Sequence, residues 1–208
     1  MSDAALTSSL QRLVGELRKL PGIGPRSAER IAFHVLKSSR DEAMLLARAI
    51  DDVKTHIRPC SRCFNLAEAD LCSICADPRR DHSVIFVVEQ PKDLISLEAT
   101  GLTHAAYHVL MGHIAPLEGV SADDLTIDAL VRRVKSGGVR EVVLATNPTL
   151  EGDATALHIT SLLRDVVSPS DGTPVRVTRL ARGLAPGAHI EHANRSMLEE
   201  AVRGRHEF

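Results

Sequence analysis

Between residues 6 and 20, Leu6, Leu10, Leu13, Val14, Leu17 and Leu20 recur at three- and four-residue intervals, the repeat of a helix with one apolar face. The string Leu20-Pro21-Gly22-Ile23-Gly24-Pro25 interrupts it, and Ala28, Ile31, Ala32 and Val35 resume it on a second helix. A third helical stretch covers 41–57 through Met44, Leu45, Ala47, Ile50 and Val53. The repeat vanishes between Cys60 and Cys75. Beyond Asp81 its character changes: Val84-Ile85-Phe86-Val87-Val88 is an unbroken apolar run of strand length, the mark of a strand covered on both faces. Further runs lie at 105–110, 142–145 and 175–177, separated by helical patterns at 92–100, 125–136 and 153–167, with a last one at 194–203. Strand and helix in alternation predict a mostly parallel sheet flanked by helices. The expected architecture is therefore multidomain α and α/β: a helical region over 1–58, a cysteine-bearing element over 59–80, an α/β domain over 81–178 and a tail over 179–208.

The cysteine element carries the sharpest chemical signal. All four cysteines of the chain stand as Cys60-x2-Cys63-x8-Cys72-x2-Cys75. Each pair can set two thiolates on one tight knuckle, and two knuckles make a closed tetrahedral site for Zn2+. Four protein ligands leave no open position, so such a metal is structural. Two disulfides or four unrelated core cysteines are the competing readings. The N-terminus lacks a basic start followed by an apolar core, so no secretory signal is readable, and disulfides are disfavoured in the cytosol expected by default. No apolar run approaches the roughly 20 residues that cross a bilayer.

Charge and composition refine this. The net charge is −2, but residues 1–58 hold ten Lys/Arg against seven Asp/Glu and residues 81–208 hold twelve against seventeen. A basic N-terminal third fits contact with nucleic acid at one end of the chain. Aromatic residues are 2% of the total, with one Tyr and no Trp, too few for gripping strands by base stacking. Any DNA contact should run through the sugar–phosphate backbone. The Pro-Gly-Ile-Gly turn supplies parts for that: Gly22 and Gly24 allow close approach, the second helix offers unpaired amides at its start, and Lys19, Arg26 and Arg30 flank it. An ordinary helix–turn–helix corner would also use Pro and Gly here.

In the α/β part, Glu89 ends the first apolar strand, and Glu151 and Asp153 follow a later one through Thr146-Asn147-Pro148. In a parallel sheet these carboxylates lie at the C-terminal edge, where sites collect, and three convergent carboxylates can hold Mg2+. The arrangement resembles the Toprim domain of topoisomerases, primases and some nucleases, which carries a Glu after its first strand and an Asp-x-Asp pair later. Here the first Asp of the pair is Glu151. The sole tyrosine, Tyr107, sits in an apolar strand and reads as core packing, and His34, His108 and His158 read as packing residues.

Together, Leu20-Pro21-Gly22-Ile23-Gly24-Pro25-Arg26-Ser27-Ala28, the four-cysteine element and the Toprim-like part resemble the bacterial RecR family over essentially the whole chain. Arg58-Pro59-Cys60, Tyr107-His108-Val109-Leu110, Pro116-Leu117-Glu118-Gly119, Thr146-Asn147-Pro148-Thr149-Leu150-Glu151-Gly152-Asp153-Ala154-Thr155 and Leu180-Ala181-Arg182-Gly183-Leu184 also match. Met111, His113 and the segment around His189 and His192 depart from the pattern.

The resemblance implies a helix–hairpin–helix that binds gapped, single-stranded or duplex DNA, a Zn2+ staple, and a non-catalytic, cytoplasmic, nucleoid-associated protein. It would act in recombinational repair with RecO, and with RecF, to promote RecA loading onto gapped DNA coated with single-strand-binding protein. It also implies a homodimer or a homotetramer ring. Arg26 and Arg30 would face DNA, and Glu89, Glu151 and Asp153 would lie on the surface that meets RecO, with Mg2+ as a secondary option. A Toprim-type Mg2+-dependent nuclease or phosphoryl-transfer enzyme, and a protein scaffold that never touches DNA, stay open beside it.

Overall fold

A computed structural model describes residues 6–167, 172–184 and 186–205. The chain parts into two compact units between Ile57 and Arg58.

The first unit holds α1 (Ser8–Leu17), α2 (Pro25–Lys37) and α3 (Arg40–His56). Helix α1 begins two residues later and ends three earlier than its apolar repeat predicts, and Leu20 lies exposed in the turn. Helices α1 and α2 pack through Val14 against Ala28 and Ala32, with Leu10, Leu13, Leu17 and Ile23 around them. Two alanines on one face of α2 let the backbones approach closely. Helix α3 starts at a reciprocal cap: the Glu42 amide donates to Ser39 Oγ at 3.2 Å and the Ser39 amide donates to Glu42 at 3.0 Å. It buries no side chain at all. His34, read from the sequence as a packing residue, is exposed; it falls away from the Ala28–Ala32 stripe that faces α1.

The second unit is built on a parallel four-stranded sheet of β3 (Asp81–Val88), β4 (Ala105–Val109), β5 (Glu141–Leu144) and β6 (Arg176–Arg179), in the order β4-β3-β5-β6. The predicted strands appear within a few residues of their apolar runs. Between them run α5 (Pro91–Glu98), α6 (Ile127–Lys135) and α7 (Leu150–Leu163), and α8 (Arg195–Arg203) closes the described chain. Helix α7 starts three residues before its apolar pattern because Thr149 caps it, accepting from the Gly152 amide at 3.0 Å.

Strand alternation sends successive residues to opposite faces. Ile85, Val87, Val142 and Leu144 point to one face and pack with Leu130 and Val134 of α6 and Ile159 and Leu163 of α7. Phe86, Val88, Tyr107 and Val109 point to the other, where Leu94 of α5 and the four cysteines meet them. The cysteine segment, with the short antiparallel pair β1 (Arg58–Pro59) and β2 (Leu66–Ala67) and the single-turn α4 (Ser73–Ala76), therefore shares one interior with the sheet. The Val109 amide of the edge strand β4 donates to the Cys63 carbonyl at 2.8 Å.

Candidate metal centre, acidic edge and nucleic-acid interface

The four sulfurs lie within 4.8 Å of one another and all four residues are buried. Cys63 Sγ and Cys72 Sγ are 3.6 Å apart. That is far beyond a disulfide bond and close to the roughly 3.8 Å between sulfurs of a tetrahedral site with Zn–S near 2.3 Å. The knuckles are shaped by backbone bonds: the Phe64 amide donates to the Cys60 carbonyl at 3.0 Å, and Phe64 takes φ 63° to complete that turn. The Cys72 amide donates to Cys60 Sγ at 3.3 Å and the Cys75 amide to Cys72 Sγ at 3.5 Å. Without metal, the hydrogen bond shared with Cys63 brings the Cys75 thiol down to about 6, while Cys63, which keeps the proton and is buried, is pushed up. Donor chemistry, closeness and amide support all fit zinc, which would be held by Cys60, Cys63, Cys72 and Cys75 as a structural staple.

The carboxylates at the sheet's C-terminal edge behave otherwise. Glu89 is 3% exposed, against the expectation that it lies on a partner-facing surface. Its Oε1 accepts from the Asn147 amide at 2.7 Å, and its Oε2 accepts from Asn147 Nδ2 at 2.8 Å and faces His113 Nδ1 at 3.1 Å. Gly152 makes room for this: a Cβ there would stand 2.1 Å from the Asn147 carbonyl and 2.8 Å from Glu89 Oε1. Asp153 is bound by both terminal nitrogens of Arg182, and that guanidinium holds its carboxyl below the usual range. Glu151 is exposed.

The three carboxylates thus do not converge; among the described residues only the cysteines form a group of three or more metal-ligating side chains. A buried acid held by an amide, an amide side chain and an imidazole has both oxygens engaged. Sequence reasoning missed Asn147, His113 and Arg182 in these roles. The signal for Arg182 was the matched string Leu180-Ala181-Arg182-Gly183-Leu184, whose partner lies 29 residues away. Beside Asp153 a cavity of about 260 Å³ is walled by Thr146, Thr178, Arg179 and Arg182, so this edge is mixed in charge.

The corner between α1 and α2 keeps its donors open. Gly22 takes φ +79°, a conformation that favours glycine, and the Ile23 amide closes the turn on the Leu20 carbonyl at 3.1 Å. Gly24 precedes α2 with no side-chain cap, and Pro25, lacking an N–H, fills the first helical position. The Arg26 and Ser27 amides are left without intrahelical acceptors, at the positive end of the helix dipole. Arg26 and Arg30 are exposed and outside every ion pair of the described residues. Lys19 differs: its ammonium is paired with Glu16 at 2.8 Å on the solvent face.

Tyr107 is fully buried in β4, as expected of a core residue; burial and the Glu98 carboxylate push its phenol up to about 12. His108 is buried as well. Its Nε2 lies 3.1 Å from the Thr126 carbonyl, which assigns the proton to Nε2, and its Nδ1 has no partner among the described residues. Burial lowers its pKa to about 4.

Comparison with known proteins agrees with this anatomy. Residues 10–54 match a family described as RecR, helix-hairpin-helix. Residues 57–77 match the four-cysteine zinc finger domain of RecR, and residues 83–181 match a Toprim domain. The chain is 52% identical to the Recombination protein RecR of Rhodopirellula baltica, over 93% of this chain and 94% of that one. It is 50% identical to that of Rubrobacter xylanophilus, over 99% and 100%, and 48% identical to that of Chloroflexus aurantiacus, over 100% and 98%. The zinc-finger match covers all four cysteines, and the site they form is a structural zinc site. Among the described residues no helix is long and apolar enough to cross a membrane.

Proposed function

The chain belongs to the RecR family, and from that premise we propose that it is a non-catalytic, DNA-binding mediator of recombinational repair. The observation that carries the reading is the α1–α2 corner: two open amides at a helix start, with Arg26 and Arg30 unpaired beside them. Phosphodiester oxygens suit such a set, and nothing in it reads base edges. Binding is therefore to gapped, single-stranded or duplex DNA without sequence preference. Lys19, tied to Glu16, contributes less than Arg26 or Arg30.

Glu151 and the mixed-charge edge around Arg182 form the face for RecO, and RecF is a further partner; with RecO the protein promotes RecA loading onto gapped DNA coated by single-strand-binding protein. The absence of catalysis is supported by the acidic edge, where Asn147 and His113 occupy Glu89 and Arg182 occupies Asp153. The active form is a homodimer or homotetramer ring. What supports self-association is α3, seventeen residues long with none buried although Met44, Leu45, Ile50 and Val53 are apolar.

DNA binding measured against salt tests this reading. Arg26→Ala and Arg30→Ala should each weaken binding on all DNA sequences and reduce the salt slope by about one, with helicity intact. An unchanged slope in the double variant would remove the corner as the interface. Cleavage of DNA with Mg2+, abolished by Glu89→Ala, would favour the nuclease instead.

A further inference from the structure

A zinc ion ringed by four thiolates is formally a dianion, and the interior cluster around it is otherwise hydrophobic apart from the Tyr107 hydroxyl. Burying net charge is costly unless a counter-charge lies close by. Nearby carboxylates would worsen the balance, so the cations around the cluster matter.

Arg133 stands in the last turn of α6, a helix that packs on the opposite face of the sheet from the cysteines. Its side chain reaches around the edge strand β4, and Nη1 donates to the Tyr107 carbonyl at 2.7 Å. Tyr107 itself packs in the cysteine cluster. Two residues further along the same edge, the Val109 amide holds the Cys63 carbonyl. The guanidinium is thus delivered to the rim of the thiolate centre.

Arg133 is mostly withdrawn from water, and no ion pair with a carboxylate is formed among the described residues. A largely buried guanidinium with no acid partner is uncommon. A second arginine, Arg62, lies within the first knuckle and donates from Nη1 to the Cys75 carbonyl at 3.2 Å. Burial pulls the Arg133 guanidinium below its usual range, while the charges of Cys75, Cys63 and Cys60 act in the other direction and Arg62 repels it. Those are the charges a thiolate counter-ion would feel. His108, which also feels the Arg133 charge, is neutral through burial.

We propose that Arg133, assisted by Arg62 at the rim, is the counter-charge of the zinc tetrathiolate and a positioning residue for the metal site. The partner of the missing salt bridge is the metal complex itself. In this arrangement the α/β domain supplies part of the zinc element's electrostatic support, and the two cannot be exchanged independently between relatives.

The rival explanation is that Arg133 only ties α6 to β4 through the Tyr107 carbonyl. Two substitutions in the full-length protein separate them. Arg133→Gln keeps an N–H donor and removes the charge; Arg133→Lys keeps the charge and alters the donor. Zinc affinity is read by competition with a chromophoric chelator at low salt, with secondary structure followed by circular dichroism. Arg133→Gln should bind zinc about 10- to 100-fold more weakly, the range for loss of a group that supports metal ligands, and Arg133→Lys should retain most of the affinity. Arg132→Gln, on the exposed side of the same turn, should leave it unchanged.

Equal zinc affinity in Arg133→Gln and the unaltered protein would overturn the proposal, as would equal losses in the Gln and Lys variants. If Arg133→Gln does not fold, the exposed Arg62→Gln decides. A loss of several-fold that shrinks with added salt supports the counter-charge role, and unchanged affinity overturns it.

Discussion

Residues 6–57 bury three side chains, Val14, Ala28 and Ala32, and leave the apolar positions of α3 in solvent. Residues from 58 onward fill two interior clusters, one on each face of a parallel sheet, and add a zinc centre to the second. The contrast fits what each part has to do. A corner proposed to bind phosphate needs only a rigid turn and open donors, and two alanines suffice to fix two helices at close range. A small knuckle element cannot enclose a core by itself, so it borrows one face of the sheet and a metal. The first unit is consequently under-packed as a monomer, while the second is over-determined.

The largest way to break this comparison is to remove a thiolate. Cys63→Ser should abolish zinc binding and cost the second unit on the order of 10 kcal/mol. Hydrogen exchange should show lost protection in β3, β4 and β5 while the α1–α2 amides keep theirs. Simultaneous loss in both units would mean that they do not stabilise separately.

A pH effect sharpens it. His108 is neutral when folded, with a pKa of about 4 against about 6.5 when unfolded. The unfolded chain therefore binds the extra proton first, so stability is full above about pH 6.5 and falls as pH drops toward 4, by about 3 kcal/mol at most. The unpartnered Nδ1 is where that proton would have to sit, close to the Arg133 charge. Urea unfolding between pH 7 and 4.5 should be less pH-dependent in His108→Gln than in the unaltered chain, and the difference separates this effect from zinc loss. Identical slopes would remove His108 from the account.

The smallest expected change in folding comes with a change in assembly. Ile50 is 60% exposed on α3. Ile50→Asp should alter the monomer's stability by no more than about 0.5 kcal/mol, yet shift sedimentation toward smaller species. An unaltered sedimentation profile would mean that the α3 face is not where copies meet.

Much of this was legible before any coordinates. The strands at 84–88, 105–110 and 142–145 announced themselves because burial on both faces requires unbroken apolar runs, and the cysteine spacing announced a metal because two knuckles have few other uses. Helix ends were less legible. Helix α7 starts where Thr149 finds the Gly152 amide, a local bond that an apolar repeat does not encode. The acidic edge was misread in one respect: Glu89, Glu151 and Asp153 share a sheet edge, but shared position does not make shared direction. Glu89 and Asp153 are each answered by different neighbours, and Glu151 faces solvent.

The sequence by itself determined the element order, the zinc ligands and the glycine turn between the first two helices, because each is written in contacts or spacings only a few residues long. Tertiary structure alone decided that Glu89 is enclosed by Asn147 and His113, that Asp153 is paired with Arg182, and that Arg133 crosses the sheet edge toward the thiolates. Those pairings join residues 24 to 58 positions apart, or elements on opposite sheet faces. Charge is matched across space, and a linear string carries no record of which distant charges the fold will bring together.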